Sequence, residues 1–171
     1  MPNYTGYQAS VYPSGQITTV KRFEIPCFAA SDIWQGCPVR LASSGDWTVQ
    51  MCVSSAEKPL GVARDFAAAG DAVSVFDDGN IVRSYPGAGA SFAREMYVGV
   101  VGTSSGVHPK SGAVVTYGVI GAVVPGGTTL PGASQTAVWA VGMAFESAAL
   151  NDQAAYRIEP RVLSGYFGTV S

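Results

Sequence analysis

Short runs of alternating apolar and polar residues make up most of the chain, and Gly, Ser, Asp and Pro residues separate them. Residues 47–53 alternate with period two and place four apolar side chains on one face: Trp47, Val49, Met51 and Val53. Residues 60–75 form a second unit, in which LGVA leads into an AGD turn and Val73 and Val75 then share a face. Period-two alternation bounded by turn residues predicts β-strands with one buried face.

Turn and helix signals divide the remaining strands. SSG at 43–45 and DDGN at 77–80 predict turns, the second of the Asp-Gly type that joins the strands of a hairpin. Residues 86–95 are the best helix candidate, one or two turns long, with Ser91 as its N-cap. A last strand covers 157–163. The chain is therefore predicted to be all-β, with at most one or two short helices.

The 60–75 pattern has a weaker copy at 141–158, which predicts an internal repeat. Each copy places a Gly and an Asp the same distance apart: Gly61 with Asp71, and Gly142 with Asp152. Self-similarity of this kind indicates two related units. Two β halves of this size would build one compact barrel-like domain rather than a long solenoid.

A second sign of the repeat is an SSG sequence that follows a Val-rich strand in each half, at 43–45 and at 104–106. The SSG offset is 61 and the offset of the glycine pair is 81, so the second half carries about 20 extra residues. We place these residues within 107–136, where Gly, Pro and Thr concentrate.

Three parts follow from the pattern: an N-terminal arm at 1–26, a β-barrel-like domain at 27–163 with a Gly/Pro-rich enlargement near 107–136, and a C-terminal tail at 164–171. The predicted fold is a small single-domain β-barrel or sandwich with a two-fold internal repeat and an extended N-terminal arm. Aromatic residues are spaced along the arm and the tail: Tyr4, Tyr7, Tyr12, Tyr166 and Phe167. We expect them to contact a neighbouring subunit or partner, since aromatic side chains supply much of the area in interfaces. A solvated arm with incidental aromatics is the alternative.

Composition narrows the classes of function. Charged residues make up 13% of the chain, against about 25% in typical soluble domains, which suits a surface covered by partners. The net charge of −2 and the scattered basic residues argue against a nucleic-acid partner. Residues 111–145 carry no charge, but Gly and Pro interrupt them, and the apolar run at 113–124 is shorter than the ~20 residues of a spanning helix. We therefore expect no membrane partner.

The reactive residue types form no recognisable site. Cys27, Cys37 and Cys52 lack the close paired spacing of zinc ligands, and we expect them to be buried. A disulfide between Cys27 and Cys37 is the alternative. DDGN lacks the ligand spacing of a calcium loop. We therefore expect no metal and no cofactor.

One stretch, at 102–106, formally matches the GxSxG of a hydrolase elbow, with Ser104 as the nucleophile. The elbow requires a helix after the serine, but Pro109 follows closely. The only histidine, His108, is four residues away, so we expect it to be an ordinary loop residue. The stretch is predicted to be a Gly/Ser turn, and the protein is expected not to be an enzyme. A serine hydrolase is the least favoured alternative.

A family resemblance lies in the order of five short motifs: GCPV at 36–39, LGVA at 60–63, AGDAVSV at 69–75, GNIV at 79–82 and a closing VGMA at 141–144 with YRI at 156–158. This order resembles that of the capsid cement, or head decoration, proteins of tailed bacteriophages. The resemblance covers roughly residues 30–163. The N-terminal 26 residues and the enlargement at 107–136 depart from the compact family pattern.

The resemblance implies a viral structural protein that binds the outside of the mature icosahedral capsid and stabilises capsomer junctions. The implied partners are the major capsid protein and further copies of the chain in a homotrimer, and the implied location is the outer surface of the capsid. One rival is another virion protein, such as a tail, fibre or host-binding head-fibre component, for which Trp34, Trp47 and Trp139 could supply an aromatic cluster. Their strand-like settings favour burial instead. A cellular β-barrel binding module is a further rival.

Overall fold

The computed structural model describes residues 10–11, 17–18, 24–85, 87–124 and 138–163. These residues form twelve β-strands: β1 (Ser10–Val11), β2 (Ile17–Thr18), β3 (Glu24–Ala29), β4 (Pro38–Leu41), β5 (Thr48–Met51), β6 (Gly61–Ala63), β7 (Ala72–Phe76), β8 (Ile81–Arg83), β9 (Tyr97–Val107), β10 (Val114–Ala122), β11 (Trp139–Ala144) and β12 (Ala155–Val162). None of the described residues is helical, so this part of the chain contains no helix able to cross a membrane. The all-β prediction is confirmed.

Five strands close into a small barrel in the order β3-β5-β4-β6-β7. All neighbours are antiparallel except β3 and β5, whose parallel pairing of Ala29 with Val49 closes the barrel. Alternate side chains of the strands fill the interior, and Val39, Val49 and Val75 have no solvent exposure. β-Branched residues suit such strands because they pack well on a pleated, half-buried surface.

The second half repeats this arrangement as a five-stranded sheet in the order β10-β9-β11-β12-β8. Each of its strands occupies the place of one barrel strand, with β9 standing for β4, β11 for β6 and β12 for β7. The parallel closure is reduced to one bridge, between Ala88 and Ile120, where the barrel pairs Ala29 with Val49. The second sheet is thus a less completely closed copy of the first barrel.

Equivalent hydrogen bonds establish the internal repeat residue by residue. Val39 pairs with Gly61 as Val98 pairs with Gly142. The bridge of Ile33 with Ala67 recurs as that of Phe92 with Ala148. Left-handed backbone also recurs: φ is 75° at Gly36 and 70° at Glu95, and it is 87° at Gly70 and 67° at Asn151. The predicted two-fold repeat, with its interval of 81 positions between Gly61 and Gly142, is confirmed.

The SSG correspondence, in contrast, is wrong. Residues 43–45 lie in the β4–β5 loop, whereas residues 103–106 lie inside β9 and pair with β10. The second half has a longer hairpin here, so its turn lies beyond the SSG sequence, at 108–113. The enlargement predicted near 107–136 is therefore partly this hairpin, and residues 125–137 lie outside the described residues.

Other local predictions also change. The predicted helix at 86–95 is absent from its described residues, 87–95, because Ala88 and Phe92 form β-bridges with distant residues and Glu95 has a φ of 70°. Ser91 therefore caps no helix. DDGN at 77–80 is a turn as predicted, but β7 and β8 belong to different sheets, so it connects the two halves rather than a hairpin. Strand β3 begins at Glu24, inside the predicted arm.

The two halves share their hydrophobic cores and form one small domain. The first core consists of residues of the barrel together with Tyr117 of β10. The second core contains Val62 and Phe76 of the barrel beside Val98, Val141 and other residues of the second sheet. Because each core includes side chains of the other half, separating the halves would expose both cores to solvent.

The three cysteines are free and buried, as predicted for small core residues, and no Cys27–Cys37 bridge forms. The Cys37 thiol donates a hydrogen bond to the Gly118 carbonyl at 3.6 Å. Burial raises the pKa of Cys27 and Cys37, and it raises the pKa of Cys52 to about 12, helped by the nearby Glu57 carboxylate.

We therefore expect the native protein to resist thiol modification. At pH 8 the native thiols should react with Ellman's reagent about 100-fold or more slowly than free cysteine, since the thiolate is the nucleophile and access requires local opening. All three should react promptly in 6 M guanidinium, measured as absorbance at fixed time. Fast reaction of any cysteine in the native state would contradict the described packing.

Candidate functional site

The longest ribbon of the structure is the hairpin of β9 and β10. Strand β9 pairs with β11 only at Tyr97 and Val98, but it continues to Val107 along β10. The turn closes when the His108 N–H donates to the Ala113 carbonyl and the Gly112 N–H donates to the His108 carbonyl, both at 2.8 Å. The hairpin therefore extends beyond its own sheet and reaches the first barrel.

Its inner face rests on an aromatic cluster. Tyr117 stacks on Trp34 with ring centroids 4.5 Å apart, and Trp34 meets Phe66 edge-on at 5.2 Å. The His108 ring lies edge-on to Phe66 at 5.6 Å. A Cβ at Gly106 would lie 2.7 Å from the Trp34 ring, so the hairpin backbone contacts the indole directly. This cluster fixes the hairpin against the barrel.

His108 completes the contact through the hydrogen bonds of its buried ring with Ile33 and Ser111, which we call the His108 clasp. Its ring has no solvent exposure, and Nε2 lies 2.9 Å from the Ile33 carbonyl oxygen. A carbonyl only accepts, so Nε2 carries the proton and Nδ1 is free to accept from the Ser111 N–H at 3.2 Å. The Ser111 hydroxyl donates to the Asp32 carboxylate. That bond, followed by one from the Ala69 N–H, lowers the pKa of Asp32.

The cluster of Asp32, Ser111 and His108 has the three residue types of a catalytic triad. Its hydrogen bonds are not those that triad chemistry requires. A triad needs the carboxylate on the histidine and the serine proton directed at the imidazole. Here the serine hydroxyl donates to the carboxylate, and the Ile33 carbonyl and the Ser111 amide occupy the two ring nitrogens. The arrangement joins the hairpin turn to the barrel, and the ion pair of Lys110 with Asp71 at 3.7 Å adds a surface contact.

His108 does lie in a loop, but the expectation of an ordinary loop residue missed its role. Its partner Ile33 is 75 positions away, the Asp32 that binds Ser111 is 79 positions from that serine, and no local pattern marks either contact. Ser104, the formal GxSxG serine, lies in the middle of β9 opposite Tyr117 rather than in a turn. The prediction of a Gly/Ser turn is therefore wrong, and the strand–turn–helix context of an elbow is also absent here.

The outer face of the hairpin is the most evident candidate contact surface. It is defined by five side chains on one side of the ribbon: Thr103, Ser105, Val107, Val114 and Thr116. Val107 and Val114 are cross-strand neighbours with 64% and 75% of their surface exposed. None of the five is charged, whereas exposed β-ribbons usually carry charges that prevent association. An exposed uncharged face of this kind marks an interaction surface.

A second exposed pair lies on the barrel. Trp47 is 65% exposed and Phe28 is 55% exposed, and the Phe28 N–H donates to the Trp47 carbonyl at 2.8 Å. The φ of 56° at Trp47 is unusual for a bulky residue and costs conformational energy. The expectation of buried tryptophans is therefore wrong for Trp47. Trp34 and Trp139 are partly buried, the latter beside the Lys58 ammonium.

The predicted contact residues Tyr4, Tyr7, Tyr12, Tyr166 and Phe167 lie outside the described residues. Within the part of the chain that the structure describes, no three His, Cys, Asp or Glu side chains are grouped to hold a metal ion. Among the described residues, three candidate contact surfaces are the hairpin outer face, the exposed Trp47 and Phe28, and a charged cleft beside β4.

The similarity of this chain to known proteins is confined to solved structures. No family model and no curated protein matches the chain. A solved structure of the head fiber gp8.5 N base in bacteriophage phi29 is similar. The TM-score is 0.45 and the sequence identity is 16%, with 80% of this chain and 93% of that chain covered. That neighbour is a head fiber component of a phage.

Proposed function

We propose that this protein is a structural component of a bacteriophage virion that binds the outside of the mature capsid and stabilises capsomer junctions. The order of motifs supports this proposal. Each motif forms a defined part of the duplicated barrel: the glycine of GCPV has a φ of 75°, LGVA enters β6, and AGD is the turn before β7. The resemblance to cement proteins therefore rests on residues that determine the fold.

The hairpin outer face is the observation that carries the proposal. It presents exposed valines on a ribbon that the His108 clasp and the Trp34 stack hold rigidly. A rigid surface loses little conformational entropy on binding, so more of the gain from burying apolar area, about 25 cal/mol per Å², remains as affinity. A flat capsid surface would cover such a face without requiring any catalytic group.

The proposed mechanism is stabilisation by linkage. A ligand that binds only one state of an assembly stabilises that state in proportion to its occupancy. A homotrimer would place three outer faces on neighbouring shell subunits at once, so modest contacts would combine through effective concentration. The aromatic residues of the arm and the tail would add further contacts with the major capsid protein.

A charge on the outer face tests the proposal. We expect Val114→Glu to reduce binding to purified expanded heads by about tenfold or more. The reason is that binding would desolvate the new carboxylate against the apolar part of the capsid surface. Binding is measured by co-sedimentation of labelled protein with heads. Leu150→Glu is the matched control, since Leu150 is 61% exposed outside the hairpin. Equal binding by wild type and Val114→Glu would contradict the assigned surface, and lack of head binding by wild type would overturn the proposed function.

The exposed Trp47 and Phe28 favour a second candidate, a host-binding head-fibre component. Trp47 is held on strained backbone beside Phe28 of β3, and exposed aromatic side chains of this kind suit recognition of sugars or proteins at a cell surface. In that role, Trp47→Ala would abolish adsorption to host cell envelopes and leave head binding unchanged. A cement protein would instead raise the temperature at which heads rupture and would show no adsorption.

A further inference from the structure

A cleft of about 460 Å³ opens on the first barrel beside the end of β4. Six residues line it: Arg40, Leu41, Glu57, Lys58, Pro59 and Leu60. They come from the end of one strand and from the loop that leads into β6. The cleft is separate from the hairpin outer face, and the proposed function does not use it.

Charges in the cleft are fixed by a local network. The Glu57 carboxylate accepts from the Arg40 Nε–H at 2.8 Å and from the backbone N–H groups of Val53 and Ser54 at 2.6 and 3.1 Å. The Lys58 ammonium lies 5.5 Å from the centre of the Trp139 ring. Two cations therefore accompany one carboxylate, which gives a locally positive cleft in a protein with a net charge of −2.

The cleft also borders an open strand edge. Pairing of β4 with β6 stops at Val39, whose carbonyl accepts from the Leu60 N–H at 2.7 Å. Pro59 comes next in the facing segment, and proline has no N–H to extend a ladder. Arg40 and Leu41 thus continue without a strand neighbour on this side among the described residues, and Leu41 is 57% exposed.

The internal repeat supplies a comparison within the same molecule. The positions equivalent to Arg40 and Lys58 are occupied by Gly99 and Trp139 in the second half. A Cβ at Gly99 would lie 2.6 Å from the Trp139 carbonyl oxygen, so the two segments are in backbone contact there. At these two described positions the second half has neither a gap between the segments nor a cation. The cleft is therefore a property of the first half rather than of the fold.

We propose that this cleft binds an extended peptide segment of a partner protein through an acidic side chain. An added strand would meet the edge of β4 at Leu41, whose carbonyl also accepts from the Arg40 guanidinium at 3.4 Å, and in this mode side-chain pockets supply specificity. Arg40 and Lys58 complement a carboxylate, and Leu41 and Leu60 contact its apolar neighbours. This inference is independent of the virion proposal, because it depends only on the charges and the edge of the first barrel.

Two peptides that differ only in charge test the inference: acetyl-VEVEV-amide and acetyl-VQVQV-amide. In amide-resolved NMR titrations of the full chain, we expect the acidic peptide to shift the Leu41, Lys58 and Leu60 resonances and to bind more tightly than its neutral analogue. Lys58→Gln should weaken the acidic peptide by about two- to fivefold, the effect of one exposed ion pair. Arg94→Gln is the control, since Arg94 is exposed and does not line the cleft.

Each remaining outcome counts against the inference. If the two peptides bind equally well, the charge of the peptide plays no part in binding. If Lys58→Gln binds the acidic peptide with unchanged affinity, the cleft is not the binding site. N-acetylglutamate serves as a third probe. If it shifts the same amides with the affinity of the acidic peptide, the cleft recognises a lone carboxylate and the extended segment is excluded.

Discussion

Replacing Gly142 by alanine is expected to destabilise the protein by about 3 kcal/mol or more, through overpacking that no side-chain rotation can relieve. A Cβ at this position would lie 1.9 Å from the Arg157 carbonyl oxygen and 2.8 Å from its carbon, both backbone atoms. Gly61→Ala should behave in the same way, because its Cβ would lie 2.1 Å from the Phe76 carbonyl oxygen. Urea unfolding followed by circular dichroism measures the loss.

Gly102→Ala is the matched control for these variants. It lies in β9, and the nearest atom to its added Cβ is Val119 Cγ2 at 3.8 Å, an ordinary contact. We expect its free energy of unfolding to stay within about 0.5 kcal/mol of the wild-type value. A similar loss in Gly102→Ala and Gly142→Ala would contradict the close approach as the cause, because backbone entropy alone favours alanine over glycine.

His108→Ala is the second large expected effect, a loss of about 2–4 kcal/mol. The substitution removes a fully buried ring that packs edge-on against Trp34 and Phe66, and it leaves the Ile33 carbonyl without its donor. Hydrogen exchange should also accelerate at the amides of residues 103–117, since the clasp holds the hairpin on the barrel. Urea unfolding and hydrogen exchange with mass spectrometry measure the two effects.

Lys110→Ala is the control within the same turn. Its ion pair with Asp71 joins two half-exposed side chains, and such pairs contribute about 0–1 kcal/mol. We expect a change of less than about 0.5 kcal/mol and no faster exchange in the hairpin. If Lys110→Ala and His108→Ala destabilise the protein equally, the hairpin is held by its surface charges rather than by the buried ring.

The internal repeat was predictable because it rests on close backbone approach. Gly61 and Gly142 stand where a neighbouring carbonyl leaves no room for a Cβ, so both copies retain glycine at the same interval. The SSG match misled because Ser and Gly suit a turn and also tolerate an exposed strand. Residues 104–106 lie in β9 since the longer hairpin continues their pairing, a property of the partner strand rather than of the three residues.

Nonlocal pairing explains the other differences. Residues 86–95 were predicted to be helical from local signals, but Ala88 and Phe92 bridge to Ile120 and Ala148, far along the chain. The alternation predicted for 47–53 holds only in β5, Thr48–Met51, so Trp47 and Val53 fall outside the strand and are exposed. The His108 clasp depends on residues near position 32, and this contact could not be predicted from spacing in the sequence.

The parallel closure of the barrel has a consequence for the order of folding. Ala29 can meet Val49 in parallel only after β4 has reversed the chain between them, and Glu24 must find Phe76. Nonlocal pairings of this kind cost loop-closure entropy before they gain contacts, which makes folding slow. Each half contains its own set of such pairings, but each core also contains side chains of the other half, so we expect the two halves to fold as one cooperative unit.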